Sequence, residues 1–75
     1  MWSYQSPIGT MRIRSEKERY ILWIGDTRIG SYSTTEKAAD DVTLFATGYD
    51  GWDNLHSSVT PPSGIEEWSY SQKHS

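Results

Sequence analysis

The dipeptide Gly25-Asp26 constrains the fold of this chain more than any other feature. It lies between two runs that are rich in β-forming residues, Arg19 to Ile24 and Thr27 to Ser33. A type II′ hairpin turn requires glycine at its first central position, so we expect these runs to pair as antiparallel strands. The two-residue loop then predicts the pairs Ile24 with Thr27, Trp23 with Arg28, and Leu22 with Ile29.

A further strand is predicted before this hairpin, because apolar and polar residues alternate from Thr10 to Arg14. The charged residues 15–18 separate the two strands, and a four-residue loop there would pair Arg14 with Arg19. The two hairpins independently give the same division into faces. One face carries Met11, Ile13, Tyr20, Leu22, Ile24 and Ile29, and the other, here called the outer face, carries Arg12, Arg14, Arg19, Ile21, Trp23 and Arg28.

A helix is predicted after the third strand, with its N-cap at Ser33 or Thr34 and its end near Thr47. Gly48 is suited to the position that follows a helix. The predicted fold is therefore α+β, a three-stranded antiparallel sheet packed against one α-helix, with an irregular C-terminal extension. The apolar stripe of the helix is predicted to consist of Ala38, Ala39, Val42, Phe45 and Ala46.

The length of 75 residues allows one domain, and the segment after Gly48 does not have the pattern of a second one. Two large aromatic residues in this segment, Trp52 and Trp68, are expected to pack against the sheet and helix as anchors. We therefore expect one domain over residues 1–70, which includes the extension, and a disordered tail at residues 71–75.

Composition excludes several classes of site. Cysteine is absent, so disulfides and thiolate metal ligands are excluded, and His56 and His74 lack the spacing of metal ligands. No apolar stretch is long enough for a membrane span, and the N-terminal residues lack the pattern of a signal peptide. We expect no metal, no cofactor, no membrane partner, and a cytoplasmic location.

The chain is also predicted not to be an enzyme. It contains no Gly-x-Ser-x-Gly motif, no glycine-rich phosphate loop and no cysteine nucleophile. Asp40 and Asp41 are adjacent in the predicted helix, so their side chains point about 100° apart and do not form a catalytic pair.

Two resemblances follow from longer segments. The run Ile29 to Ala39 is similar to the third strand and helix entry of the plant AP2/ERF DNA-binding domain, a fold of three strands and one helix. That resemblance implies a nucleic-acid surface formed by Arg12, Arg14, Trp23 and Arg28. Nearly the whole chain resembles a group of short uncharacterised bacterial proteins, which implies no known function. The segments that carry this second resemblance are Trp2-Ser3-Tyr4, Ser6-Pro7-Ile8-Gly9-Thr10, Gly30-Ser31-Tyr32, Ala38-Ala39-Asp40-Asp41-Val42, Thr47-Gly48, Trp52-Asp53 and Glu67-Trp68.

The outer face is the candidate binding face. It holds four of the seven basic residues and, in the predicted register, no acidic ones. Arginine and tryptophan together can hold phosphates while stacking a base, or can bind an acidic protein. In the alternative interpretation Trp23 and Arg28 form a cation–π pair, and the C-terminal segment with Trp52 and Trp68 folds over this face.

The sequence thus favours a small noncatalytic binding module whose partner is another protein, since the formal charge of −3 opposes nonspecific binding to nucleic acid. One alternative is an AP2-like nucleic-acid-binding domain that uses the outer face. The other is a structural accessory that acts as a homodimer.

Overall fold

A computed structural model describes residues 1–71 of the chain. In this range an antiparallel sheet packs on one main helix, which confirms the predicted α+β class. The elements in chain order are β1 (Trp2–Ser6), β2 (Gly9–Glu16), β3 (Arg19–Ile24), β4 (Thr27–Tyr32), α1 (Thr35–Thr43), α2 (Asp50–Asp53), a 3₁₀ helix (Ile65–Glu67) and β5 (Ser69–Tyr70).

Within residues 1–71 the sheet has five strands in the order β4-β3-β2-β1-β5, so the prediction of three strands was wrong. Strand β1 forms because Trp2 and Tyr4 alternate with polar residues, and both aromatic side chains pack against the core. Strand β5 is only two residues long and pairs with the start of β1, where the Trp2 and Tyr70 rings lie 4.8 Å apart. Strand β5 forms because the chain returns to pair with β1, and its two residues are too few to show a strand pattern in the sequence.

The first hairpin has a shorter loop than predicted. Lys17 and Glu18 form it with φ angles of 48° and 64°, the positive values that a type I′ turn requires at both central residues. Glu16 therefore pairs with Arg19, and the predicted pair of Arg14 with Arg19 was wrong. The register differs by two residues on one strand, so every side chain stays on its predicted face.

The second hairpin is close to the prediction. Gly25 has a φ of +55°, the sign that a type II′ turn needs at its first central residue. Farther from the turn, Leu22 pairs with Gly30 and not with Ile29, because a β-bulge inserts one extra residue into β4. The two predicted pairs next to the turn are confirmed: Ile24 with Thr27 and Trp23 with Arg28.

The core lies between the sheet and α1. Tyr20 and Ile29, on the predicted inward face, are partly buried and pack against it. Trp52 and Trp68 from the C-terminal segment also lie in this core. The remaining buried residues of the core are Met11, Ile13, Leu22, Ile24, Ala38, Ala39 and Val42.

Helix α1 begins where the sequence predicts and ends earlier. The Thr34 hydroxyl caps its N-terminus by accepting a hydrogen bond from the Lys37 amide at 3.1 Å. The helix ends at Thr43 and not near Thr47. Ala46 is consequently exposed, so its predicted place in the apolar stripe was wrong.

A Schellman motif ends α1, with Phe45 in the left-handed region at a φ of 53°. The Ala46 amide donates to the Asp41 carbonyl at 2.9 Å, and the Phe45 amide donates to the Val42 carbonyl at 3.2 Å. Glycine usually occupies this position, because a side chain there is strained. Phe45 is held by its stacked contact with Trp52, whose ring centroid lies 4.8 Å away.

The segment after α1 is fixed by polar contacts as well as by its tryptophans. Asp53 accepts three hydrogen bonds, two from the amide and hydroxyl of Thr47 and one from the Gly48 amide. The Thr43 hydroxyl donates to the Pro62 carbonyl at 2.7 Å. At the end of the described range, the Ser71 amide donates to the Met1 carbonyl at 2.8 Å. The rest of the predicted tail, residues 72–75, lies outside the described residues.

Candidate binding face

The structure places all six residues of the outer face on one side of the sheet, opposite α1. They lie on three adjacent strands, β2, β3 and β4, and alternate along each strand with residues of the core. Arg14, Arg19 and Arg28 are exposed, and Arg12 is half-buried. The face therefore presents guanidinium groups to solvent over the middle and one edge of the sheet.

Trp23 lies on the central strand of the outer face, with three arginines around it. In the strand register it stands between Arg12 on β2 and Arg28 on β4. The guanidinium over its ring is that of Arg14, 5.9 Å from the ring centroid, a cation–π distance. The sequence suggested a cation–π pair of Trp23 with Arg28 as an alternative. Arg28 is the register partner of Trp23, but the guanidinium over the ring is that of Arg14, the diagonal neighbour.

A second arginine is fixed by hydrogen bonds across the edge of the sheet. The Arg19 Nε donates to the Ser31 hydroxyl at 2.9 Å, and the Arg19 Nη2 donates to the Ser31 carbonyl at 3.2 Å. Ser31 pairs with Ile21, so the Arg19 side chain lies beside that residue. The orientations of Arg14 and Arg19 are thus set by the protein itself.

Ile21 is only 2% exposed although it faces away from the core. Its neighbours on the face are Arg14 and Ser31 on the adjacent strands and Arg19 and Trp23 on its own strand. Long arginine stems cover apolar surface while the charged groups stay in water. The outer face therefore contains a buried apolar residue, Ile21, between the exposed residues Arg14 and Arg19.

The tryptophans of the C-terminal segment do not cover the outer face. Trp52 and Trp68 belong to the core with α1, on the opposite side of the sheet. The alternative in which these two residues fold over Arg12, Arg14 and Trp23 is therefore wrong. In residues 1–71 the indole N–H of Trp23 is buried without a hydrogen-bond partner, so the ring is held by packing and by Arg14.

Two parts of the face were missed by the sequence analysis. Glu16 lies on it opposite Arg19, so the expectation of a face without acids was wrong. Strand β1 extends the face with Ser3 and Gln5, and the side-chain Oε1 of Gln5 accepts a hydrogen bond from the Thr10 hydroxyl at 2.9 Å. The alternation of aromatic and polar residues over 2–5 was the signal that could have predicted this polar extension.

Charge is divided between the two halves of the chain. Residues 1–32 contain five basic and three acidic residues, whereas residues 33–71 contain seven acidic residues and a single basic one, Lys37. The first half forms four of the five strands, and the second half contributes α1, α2 and the 3₁₀ helix. The sheet strands are therefore basic as a group, although the formal charge of the whole chain is −3.

Tyr32, whose pKa is shifted, lies on the helix side of the sheet. Burial, together with a hydrogen bond to the Asp41 carboxylate and its charge, raises the pKa of this phenol above its usual range. Tyr32 packs against the core, so it is not part of the outer face.

Among residues 1–71, no group of three or more His, Asp or Glu side chains is arranged so that it could hold a metal ion. No helix in the described part of the chain has the length and apolar character that crossing a membrane requires.

Comparisons with family models, with curated proteins and with solved structures gave no match to this chain. The resemblances to the AP2/ERF domain and to the short bacterial proteins therefore remain predictions.

Proposed function

We propose that this protein is a noncatalytic binding module that uses its outer face to bind an acidic surface of another protein. The observation that carries the proposal is the basic sheet face that Trp52 and Trp68, packed in the core on the other side, leave free. Arginine suits such a surface, because its planar guanidinium forms two parallel hydrogen bonds to one carboxylate.

The fixed arginines support binding. Arg14 is held over Trp23, and Arg19 is held by Ser31, so these side chains lose little freedom when a partner binds. Immobilising a free side chain costs about 0.5–1.5 kcal/mol on binding, and this cost is partly removed beforehand. The covered Ile21 provides an apolar base without an exposed apolar patch.

A protein partner fits the overall charge better than nucleic acid does. The helix side carries most of the acidic residues, so the whole molecule is weakly repelled by a polyanion at long range. A protein partner with a local acidic patch carries fewer negative charges than a nucleic acid, so its long-range repulsion from this molecule is weaker.

Affinity capture from a native cell extract tests the proposal. The variant Arg12→Glu/Arg14→Glu reverses two charges on the outer face, and Lys17→Glu/Lys37→Glu makes the same change of net charge at a turn and on α1. We expect the first variant to lose the proteins that the wild type retains and the second to keep them. Capture that both variants retain equally would contradict the use of the outer face.

Nucleic-acid binding is a second candidate, favoured by the same arginines around Trp23, which Trp52 and Trp68 do not cover. If all four arginines contact phosphates, binding to duplex DNA should weaken with salt with a log–log slope of about −3 to −4. We expect dissociation constants no tighter than about 10⁻⁵ M at physiological salt, in the range of nonspecific binders. Submicromolar, salt-sensitive binding that Arg12→Ala/Arg28→Ala abolishes would favour nucleic acid over protein.

A further inference from the structure

Two arginines of the outer face form a row with a defined repeat. Arg12 and Arg14 lie two residues apart on β2, with Ile13 between them pointing into the core. Two residues along an antiparallel strand span about 6.8 Å. Across the strands, Arg19 on β3 is the diagonal neighbour of Arg14, at about 7–8 Å, and its side chain is held by Ser31 on β4. Arg28 pairs with Trp23 on β3 and lies two strands from Arg12, or about 9.6 Å away.

An extended peptide has the same repeat as this row. Its alternate side chains point to the same side and are also about 6.8 Å apart. Carboxylates at positions i and i+2 of an extended segment can therefore meet Arg12 and Arg14 together. Adjacent carboxylates point to opposite sides of the segment, so only one of them reaches the face.

The face suits an extended segment better than a docked helix. A helix that packs on a sheet buries an apolar stripe, but Ile21 is already covered and Trp23 already carries the Arg14 guanidinium. What remains accessible is charged and polar, including Ser3 and Gln5 on β1. Such a surface offers hydrogen-bond donors in a row and little uncovered apolar area.

We propose that the occupant of the outer face is an extended acidic protein segment in which Asp or Glu recurs at every second residue, read by Arg12 and Arg14. This inference depends on the proposed function and specifies its partner. Arg14 is held at Trp23 before binding, so one of the two guanidinium groups is already positioned when the segment arrives.

Fluorescence anisotropy with labelled peptides tests the spacing. One peptide carries four Glu that alternate with four Thr. A second has the same composition with the Glu in two adjacent pairs separated by three Thr, so that no two Glu lie at i and i+2, and a third places Glu at i and i+4 among Ala. We expect the alternating peptide to bind at least about tenfold more tightly than either comparison peptide, since one misplaced carboxylate loses a charge-assisted pair. The variant Lys17→Ala/Lys37→Ala should leave this affinity unchanged.

A charge-conserving variant separates recognition from general attraction. Arg12→Lys/Arg14→Lys keeps the charge and loses the two-pronged geometry, so the preference for the alternating peptide should disappear while the melting temperature is kept. Retention of the preference would overturn the role of the two guanidinium groups.

The outcomes of these experiments distinguish failure of the spacing inference from failure of the proposed binding function. Equal affinity for all three peptides overturns the spacing, and the proposed function stands if Arg12→Glu/Arg14→Glu still abolishes protein capture. Failure of every peptide together with capture that is independent of this variant overturns both. Tighter binding of single-stranded or duplex DNA of equal charge than of any peptide would assign the face to nucleic acid and overturn the proposal.

Discussion

Replacing Trp52 by alanine tests whether the C-terminal segment is part of the core. Trp52 is 0% exposed, its Nε1 donates to the Val42 carbonyl at 3.0 Å, and its ring stacks on Phe45. Truncating a buried tryptophan to alanine costs about 3–5 kcal/mol through lost burial and the cavity that remains. A chain of 75 residues has a total stability of about 4–11 kcal/mol, so this one change removes a large part of it.

Urea denaturation followed by far-ultraviolet circular dichroism measures the effect. With a slope near 1 kcal/mol per molar urea, the midpoint should fall by about 3 M or more, or the variant should be unfolded in buffer. The variant Trp52→Phe keeps the stacked ring and loses the N–H donor, so its midpoint should lie between those of the wild type and Trp52→Ala.

Leu44→Ala is the matched control, because Leu44 is 71% exposed. A surface substitution of this kind changes stability by no more than about 0.5 kcal/mol. If Trp52→Ala loses no more stability than Leu44→Ala, the C-terminal segment does not contribute to the core and the described packing is refuted.

Three further predictions concern other contacts. Asp53→Ala removes the acceptor of three hydrogen bonds and should cost about 1.5–3 kcal/mol in urea denaturation, with Asp53→Asn intermediate; equal midpoints would contradict the role of this carboxylate. The pKa of Tyr32 is raised in the folded state, so the stability that its neutral form provides is present below about pH 10 and lost as the pH rises beyond it. Between about pH 9 and pH 11 the wild type should lose more stability than Tyr32→Phe, and parallel losses would refute this assignment. Deleting residues 65–75 removes the buried Trp68 and should lower the melting temperature, whereas an unchanged value would exclude its role as an anchor.

The arrangement of the candidate site was predictable from the sequence, but its contacts were not. The six outer-face residues could be assigned to one side of the sheet from alternation alone, since side chains repeat every two residues along a strand. The same period explains why the incorrect loop length in the first hairpin did no harm. Which arginine stacks on Trp23 depends on side-chain packing between strands, and that contact required the structure.

Local patterns determined the elements whose causes are local. The glycine of the Gly25-Asp26 turn, the hydroxyl of Thr34 at the helix start and the apolar stripe of α1 each act within a few residues of the chain. They fixed the α+β class, the second hairpin and the beginning of the helix.

Contacts between distant residues decided the rest. Strand β5 exists because residues near position 70 return to β1, and α1 ends at Thr43 with Phe45 held in a strained conformation against Trp52. The same long-range packing draws Trp52 and Trp68 into the core and leaves the outer face free of them. The sequence alone allowed these tryptophans to pack on either side of the sheet, and only the tertiary structure selected the helix side, because there their rings close the core around α1.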